Sequence, residues 1–559
     1  MMDLKRFLEL LRGCRLVHGL AIAVPAIVVL TASITVAQDA AATKPLPPQS
    51  GFVGASDCVR CHSNGIASDP TLETIFPGLV NDSWVLLNEV RTWAATDKHV
   101  QAFTSLQNER SKRMGELLGV KEIHRDKRCL ACHTGFPLSA MGDDPHLMSA
   151  ELATDLKVAQ GVSCEGCHAP ARGTQGTKGN WYEPHMAKEK WRFLSSIDKQ
   201  DQFGFANVRS SVSRTRLCLS CHLGNATEGK IVTHEMYAAG HPPLPGFELQ
   251  SFVSQMPKHW REFHDKSDEV RKEYLEKNGK ADDIYGRESF AIDSLHESRN
   301  ALVAAIVSYS ENLKLSAALA NADLKTPVAK PDWPELSQFE CFACHHDLKD
   351  KSWRQRRTTR GAPGRPMLRT WPTSLAIVAL KTNGTPAEEF EKRIASIEKF
   401  LSAQPFGRTE QWGETVKPVT DWLDQQATAL ERKPLKRADG LALLQNISAI
   451  AGSDYWDYDS ARQLIWASQV LRRELASERS DEKLRARISD LNTEFTEIER
   501  LFVLNLMDGR DATQQLPGAS KGRPVKEVDL QKTLPPIADY DAAEFRSKFL
   551  AVGKKLEKP

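Results

Sequence analysis

Apolar positions along this chain recur at helical spacing, and that pattern predicts most of its regular structure. Between Ile292 and Leu319, the residues Leu295, Leu302, Ile306 and Leu313 fall near one face, so the stretch reads as a single long helix. Thr385-Pro386-Ala387-Glu388 has the chemistry of a helix start, with Thr385 as N-cap, proline at the first helical position and glutamate at the third. Ile394, Ile397 and Leu401 then share one face. Leu484, Ile488, Leu491, Phe495, Ile498 and Phe502 alternate steps of four and three residues, which predicts one amphipathic helix antiparallel to another around Ala461–Leu475. No strand-type alternation competes. Residues 365–507 therefore read as a helical bundle, and its stripe reads as core in preference to a docking face. The region before it, 51–350, has long irregular links, and the tail 508–559 is rich in Gly, Pro and Lys and reads as extended. The predicted fold class is mainly α with little regular sheet.

The N-terminus has a different pattern. Lys5, Arg6, Arg12 and Arg15 precede an apolar run from Leu16 to Ala32, and Thr35-Val36-Ala37 supplies small residues. This reads as a signal peptide over residues 1–37, cut after Ala37, with 38–50 as a flexible leader. The competing reading is an uncleaved membrane anchor, because the apolar stretch approaches the ~20 residues that span a bilayer. Either way residues 38–559 are expected to be exported, in the periplasm.

Composition adds one decisive feature. Lys+Arg is 74 against Asp+Glu 72, a net charge of +2, so nothing suggests a nucleic-acid partner. Of eleven cysteines, ten form five C-x-x-C pairs, and Cys14 stands alone near the N-terminus. Each pair is followed at once by histidine. The first motif is Cys58, Cys61 and His62, and the second is Cys129, Cys132 and His133. The third is Cys164, Cys167 and His168, the fourth Cys218, Cys221 and His222, and the fifth Cys341, Cys344 and His345. Zinc half-sites and disulfides use C-x-x-C but give no reason for that histidine. Only 16 of 559 residues are His, so five chance placements are improbable. C-x-x-C-H is the attachment signature of c-type haem. Two thiols add to the two vinyl groups of one haem, and the next residue sets its imidazole over the iron as proximal ligand. The expectation is about five covalent haems.

Each iron then needs a sixth ligand or an open position. Beyond His18 and the five proximal residues, ten histidines remain: His99, His124, His146, His185, His234, His241, His259, His264, His296 and His346. All lie in the region that carries the motifs, and the chain from Asp347 onward has neither Cys nor His. That confinement supports bis-His ligation.

The segment Gly161-Val162-Ser163-Cys164-Glu165-Gly166-Cys167-His168-Ala169-Pro170 resembles the third haem site of the tetrahaem cytochromes of the c-554 type, electron acceptors of hydroxylamine oxidoreductase. The order of sites starting at 58, 129, 164 and 218 is also similar, as are Trp93 with His99, His185 between the third and fourth sites, and His234 and His241 after the fourth. The resemblance covers roughly residues 55–250. Ala169 stands where that family usually has Gly, the Trp93–His99 spacing is one residue longer, and a fifth motif and a C-terminal region are added. On this basis His99, His185 and His241 rank first as distal ligands, and His234 next. His346 follows a proximal ligand and can reach only a neighbouring haem, and His296 is a candidate from the long predicted helix. His124, His146, His259 and His264 read as solvent-facing.

Haem changes the charge arithmetic. Two propionates and one ferric core per haem bring the mature chain to roughly −5 oxidised and −10 reduced. The leading functional reading is a periplasmic electron carrier between redox proteins, a relay without a catalytic residue. The alternative is a multihaem enzyme acting on a small nitrogen or sulfur compound. It would use one open haem, and the second motif is the candidate because that haem can be five-coordinate in the family resembled. A third reading is a docking subunit of a membrane redox complex, with 365–507 as interface.

Overall fold

Short, capped helices deliver the cysteine motifs. The computed structural model describes residues 51–63, 85–173, 179–186, 189–278, 293–345, 362, 364–502 and 540–557, all in one compact unit. The expected signal peptide and leader, and His346, lie outside the described residues. Helix α1, Ala55–His62, carries the first motif, and α2, Glu89–Thr96, packs against it. Helix α3, Lys127–His133, carries the second, and Asp126 caps it by accepting from the Arg128 amide (2.8 Å). Helix α4, Cys164–His168, is the third motif itself, and α5, Ser211–His222, ends in the fourth, capped by Ser210. Helix α6, His234–Ala238, is a single turn capped by Thr233. Each of α1, α3, α4 and α5 ends on its proximal histidine.

The sequence places two glycines where these pieces touch. A Cβ on Gly161 (φ +66°) would lie 2.6 Å from the His99 carbonyl oxygen, so only glycine lets the third motif reach that segment. A Cβ on Gly135, just after the second motif, would lie 3.0 Å from Gly166 Cα inside the third.

Nine further helices form one body. They are α7 (His296–Ala320), α8 (Trp371–Asn383), α9 (Ala387–Ala403), α10 (Thr409–Arg432), α11 (Gly440–Ala451), α12 (Tyr458–Leu475), α13 (Glu482–Ser489), α14 (Asn492–Glu499) and α15 (Ala542–Leu556). Helix α7 is buried along nearly its whole length and is packed by α5, α8, α10 and α12. Its all-round apolar and small-residue surface is what a central helix needs. The mainly α expectation holds, and among the described residues only isolated β-bridges occur. No described helix is long and apolar enough to cross a membrane.

Three expectations change. The core does not divide near residues 350–365: Leu219 of the fourth-motif helix, Ile306 of α7 and Leu464 of α12 belong to one apolar cluster. Sequence reading separated them because the motifs end at 345, whereas burial follows the shared faces of α5 and α7. The tail is not extended throughout. Asp541 caps α15 by accepting from Ala543 and Glu544, and Phe545, Phe549, Val552 and Leu556 bury one face against α11 and α14. The predicted helix over Leu484–Phe502 is two helices that meet at Asp490 and Leu491, where the Asn492 side chain accepts from Arg472 of α12 (2.6 Å). The apolar stripe survives the break, with Ile488, Leu491, Phe495 and Ile498 all buried. At α9 the helix starts one residue late, with Pro386 as N-cap.

Candidate haem-binding site

The first and third motifs are bound to each other through a buried carboxylate. Glu165, inside the third C-x-x-C-H, accepts from the amides of Val53 (3.0 Å), Gly54 (2.7 Å) and Ala171 (2.8 Å). It thereby supplies the cap that Gly54 cannot give α1. Burial pushes the Glu165 carboxyl up, and those three amides oppose the shift. The Cys58 and Cys164 thiols are in hydrogen-bond contact, and so are those of Cys132 and Cys221. Motifs far apart in sequence are therefore neighbours in two pairs, first with third and second with fourth.

The two sulfurs of one motif do not share these contacts equally. In the first motif Cys58 meets the third motif, whereas Cys61 lies three residues on in the last turn of α1, directly before His62. Cys61 is half-buried, as are Cys58, Cys129, Cys132, Cys164, Cys167, Cys218 and Cys221. None of the ten motif cysteines, Cys61 included, is in a disulfide. The fifth motif differs locally. Cys341–Ala343 form a 3-10 turn, the His345 amide donates to the Cys341 carbonyl (2.8 Å), and Cys341 and Cys344 are exposed.

The imidazoles sort into partners. His62 and His185 have ring centroids 5.9 Å apart at 20°, His99 and His222 6.3 Å apart at 89°, and His234 and His345 6.1 Å apart at 29°. With a metal–nitrogen bond of about 2 Å on each side, and each ring centre about 1 Å behind its nitrogen, two imidazoles on one metal have centroids about 6 Å apart. The three observed separations fit a single iron between each pair. The other two proximal rings have different neighbours: Phe205 lies against His168, and the Ser105 hydroxyl lies 3.1 Å from His133 Nδ1.

Second partners set the ring tautomers. Nδ1 of His62 donates to Glu89 Oε2 (2.9 Å), and that carboxylate is itself held by the amides of Leu86 and Leu87. Nδ1 of His133 donates to the Ala102 carbonyl (2.7 Å), that of His99 to Asp97 (2.9 Å) and that of His241 to the Pro242 carbonyl (2.7 Å). A proton fixed on Nδ1 leaves Nε2 with the lone pair a metal requires. Burial holds His168, His185 and His222 down to about 4, so these rings are neutral near pH 7. Burial also works to lower His99, but its hydrogen bond to Asp97 outweighs burial and raises it. Around His185 and His168 the walls are Trp181, Trp191 and Phe205, with Phe205 stacked on His168 at 5.0 Å. Facing imidazoles, thiols outside any disulfide and an aromatic lining fit covalently attached haem.

Residues 87–169 match the sequence model of the family described as Cytochrome c554 and c-prime. That stretch, 83 of 559 residues, is similar to cytochromes of the c type, which carry haem covalently and transfer electrons. The matched segment spans the second and third motifs with Trp93 and His99, and Trp93 Nε1 donates to the Val162 carbonyl (3.0 Å), holding the two ends of that segment together. The first motif, with Cys58, Cys61 and His62, precedes the matched segment and is tied to it through Glu165. No curated protein and no solved structure matches the chain.

Of the distal candidates His99, His185, His241 and His234 ranked from sequence, the structure sets His185 beside His62, His99 beside His222 and His234 beside His345, while His241 lies beside Tyr237. Order along the chain did not reveal the partners: His99 follows the first motif yet faces the fourth. His259, read from sequence as solvent-facing, is half-buried beside Trp260. His296 opens α7. His146 is exposed, as read.

Proposed function

We propose that this protein is an exported, periplasmic electron carrier that holds five haems, each closed by two imidazoles. The attachment residues in this reading are the ten motif cysteines, from Cys58 and Cys61 to Cys341 and Cys344. The distal partners are His185 for the first motif, His241 for the second, His259 for the third, His99 for the fourth and His234 for the fifth. The single observation that carries the proposal is the pairing of proximal with second imidazoles, 5.9 to 6.3 Å apart, at the first, fourth and fifth motifs. Haem supplies the one-electron couple, and two nitrogens on each iron keep its coordination unchanged between redox states. The residues around it do the rest. Glu89, Asp97 and the Ala102 and Pro242 carbonyls orient the rings, and Trp181, Trp191 and Phe205 exclude water. His/His ligation favours lower potentials than His/Met, which suits redox proteins as donor and acceptor in respiratory chains that use nitrogen or sulfur compounds.

The test is the intact mass of the exported protein together with its electron paramagnetic resonance spectrum. A mass equal to the chain cut after Ala37 plus five haems, with low-spin ferric signals throughout, is the expected result. Four or fewer haems, or a high-spin centre in the untreated protein, refutes the closed pentahaem reading.

A further inference from the structure

We propose that the segment Val232–His241 is a two-headed ligand arm, which serves the fifth and second haem sites at once and makes them a single structural and redox unit. The inference rests on the distal assignments above and adds what joins two of them. At its first end the arm is fastened to the approach to the fifth motif. The His234 amide donates to Glu335 Oε1 (2.7 Å), the same oxygen accepts from the Ser337 amide (2.9 Å), and Ser337 Oγ donates to the Val232 carbonyl (2.9 Å). His234 then faces His345 at 6.1 Å. Glu335 thus holds the backbone of the distal ligand and the strand leading to the proximal one with one carboxylate.

At its other end the arm reaches the second motif. Gly240 (φ +111°) turns the chain so that its free Cβ position lies 3.7 Å from Met114. Met114 sits in the helix Glu109–Leu117, whose Ser111 Oγ donates to the Ser105 carbonyl. Ser105 Oγ in turn meets His133 Nδ1 (3.1 Å). His241 directly follows Gly240. The span is short. Five helical residues followed by a three-residue turn separate the Cα atoms of His234 and His241 by no more than roughly 16 Å. Tyr237 fills the middle. Its ring, half-buried, is 6.1 Å from that of His241, and its oxygen accepts from the Leu244 amide (3.5 Å). The second site is consequently internal, with the fourth motif on one side through Cys132 and Cys221 and the fifth on the other through the arm.

The full-length protein with its haems attached provides the test. His241→Ala opens the second site and marks it with a high-spin ferric signal. In that background His234→Met, which replaces an imidazole by a thioether at the fifth site, should shift the midpoint potential of the marked signal. The matched change at the first site, His185→Met, should leave it in place. An equal response to both changes, or to His185→Met alone, overturns the arm. A His241→Ala protein without a high-spin signal overturns the distal assignment beneath it, so the two failures are told apart. A second measurement keeps every histidine: Glu335→Ala should alter the ferric spectra of the second and fifth sites together, and Glu335→Gln, which retains the accepting oxygen, should restore them. A change confined to the fifth site refutes the arm.

Discussion

Ala169 follows the third proximal histidine with φ 69° and ψ 158°, a region that is essentially reserved for glycine. The Trp181 indole holds it there by donating to its carbonyl (3.0 Å). Sequence comparison already marked this position, because the family resembled usually has Gly. Ala169→Gly is therefore expected to stabilise the holoprotein by about 1 kcal/mol, since relief of strain exceeds the added freedom of the unfolded chain. Denaturant unfolding checks this, and a lower midpoint would mean that the strain is absent. Ring orientation gives a second expectation at the same scale. Near-parallel imidazole planes split the iron dπ orbitals, and perpendicular planes leave them nearly degenerate with greater g anisotropy. His99→Ala should remove a strongly anisotropic low-spin signal, because His99 and His222 cross at 89°. His185→Ala should remove a rhombic one, because its ring lies at 20° to His62. Each variant should gain a high-spin signal, and exchange of the two outcomes would refute the pairing.

Helices α5, α7 and α10 are joined by a charge network centred on Asp424. Its carboxylate accepts from Arg216 (2.9 Å), Lys314 (2.7 Å) and Ser310 (2.8 Å), and Glu311 pairs with the same two cations. Burial works to raise Asp424, but the Lys314 hydrogen bond and the two positive charges outweigh it and hold the carboxyl below its ordinary 3.8. A carboxyl lowered by folding stabilises the folded state above its unfolded value, and that contribution is lost as pH falls through the folded value. Asp424→Asn should cost about 1–2 kcal/mol at neutral pH, a figure reduced for partial exposure, and the difference from the parent should vanish in acid. Unfolding titrations at pH 7 and pH 3 distinguish this from a pH-independent packing loss. The C-terminal helix is the other element with a clear expectation. Phe549 is fully buried between α11 and α14, so Phe549→Ala should cost about 3–5 kcal/mol. If α15 were a loosely attached tail, the same change would have no effect on thermal unfolding.

Across the whole molecule the fourth motif and the C-terminal helices share one core, so loss of a haem and loss of the bundle are not independent events. If two imidazoles close every iron, as proposed, no vacant face is left for a substrate. Steady-state assays with nitrite and hydroxylamine should therefore run near background, and substantial turnover would restore the reading of an enzyme with an open second haem. The haem-binding motifs were fully legible in sequence because the chemistry of attachment is local: two thiols and one imidazole within five residues, as in Cys58, Cys61 and His62. The second imidazoles were legible only as a pool, since order along the chain does not say that His185 faces His62 or that His234 faces His345. Helix α15 was illegible for a related reason, since Gly- and Pro-rich sequence leads into it and its apolar face has no meaning until α11 and α14 are there to cover it.

Sequence alone determined the helical fold class, the five attachment motifs and the conclusion that histidine, confined to the motif-bearing region, would supply the remaining ligands. Each of these rests on interactions within a few residues, or on composition. Tertiary structure alone decided that His99 faces the histidine of a motif over one hundred residues away, that the first and third motifs meet through Glu165, and that the core runs unbroken from α5 to α15. Those facts depend on which surfaces bury one another, and burial is a property of the assembled chain that no local spacing records.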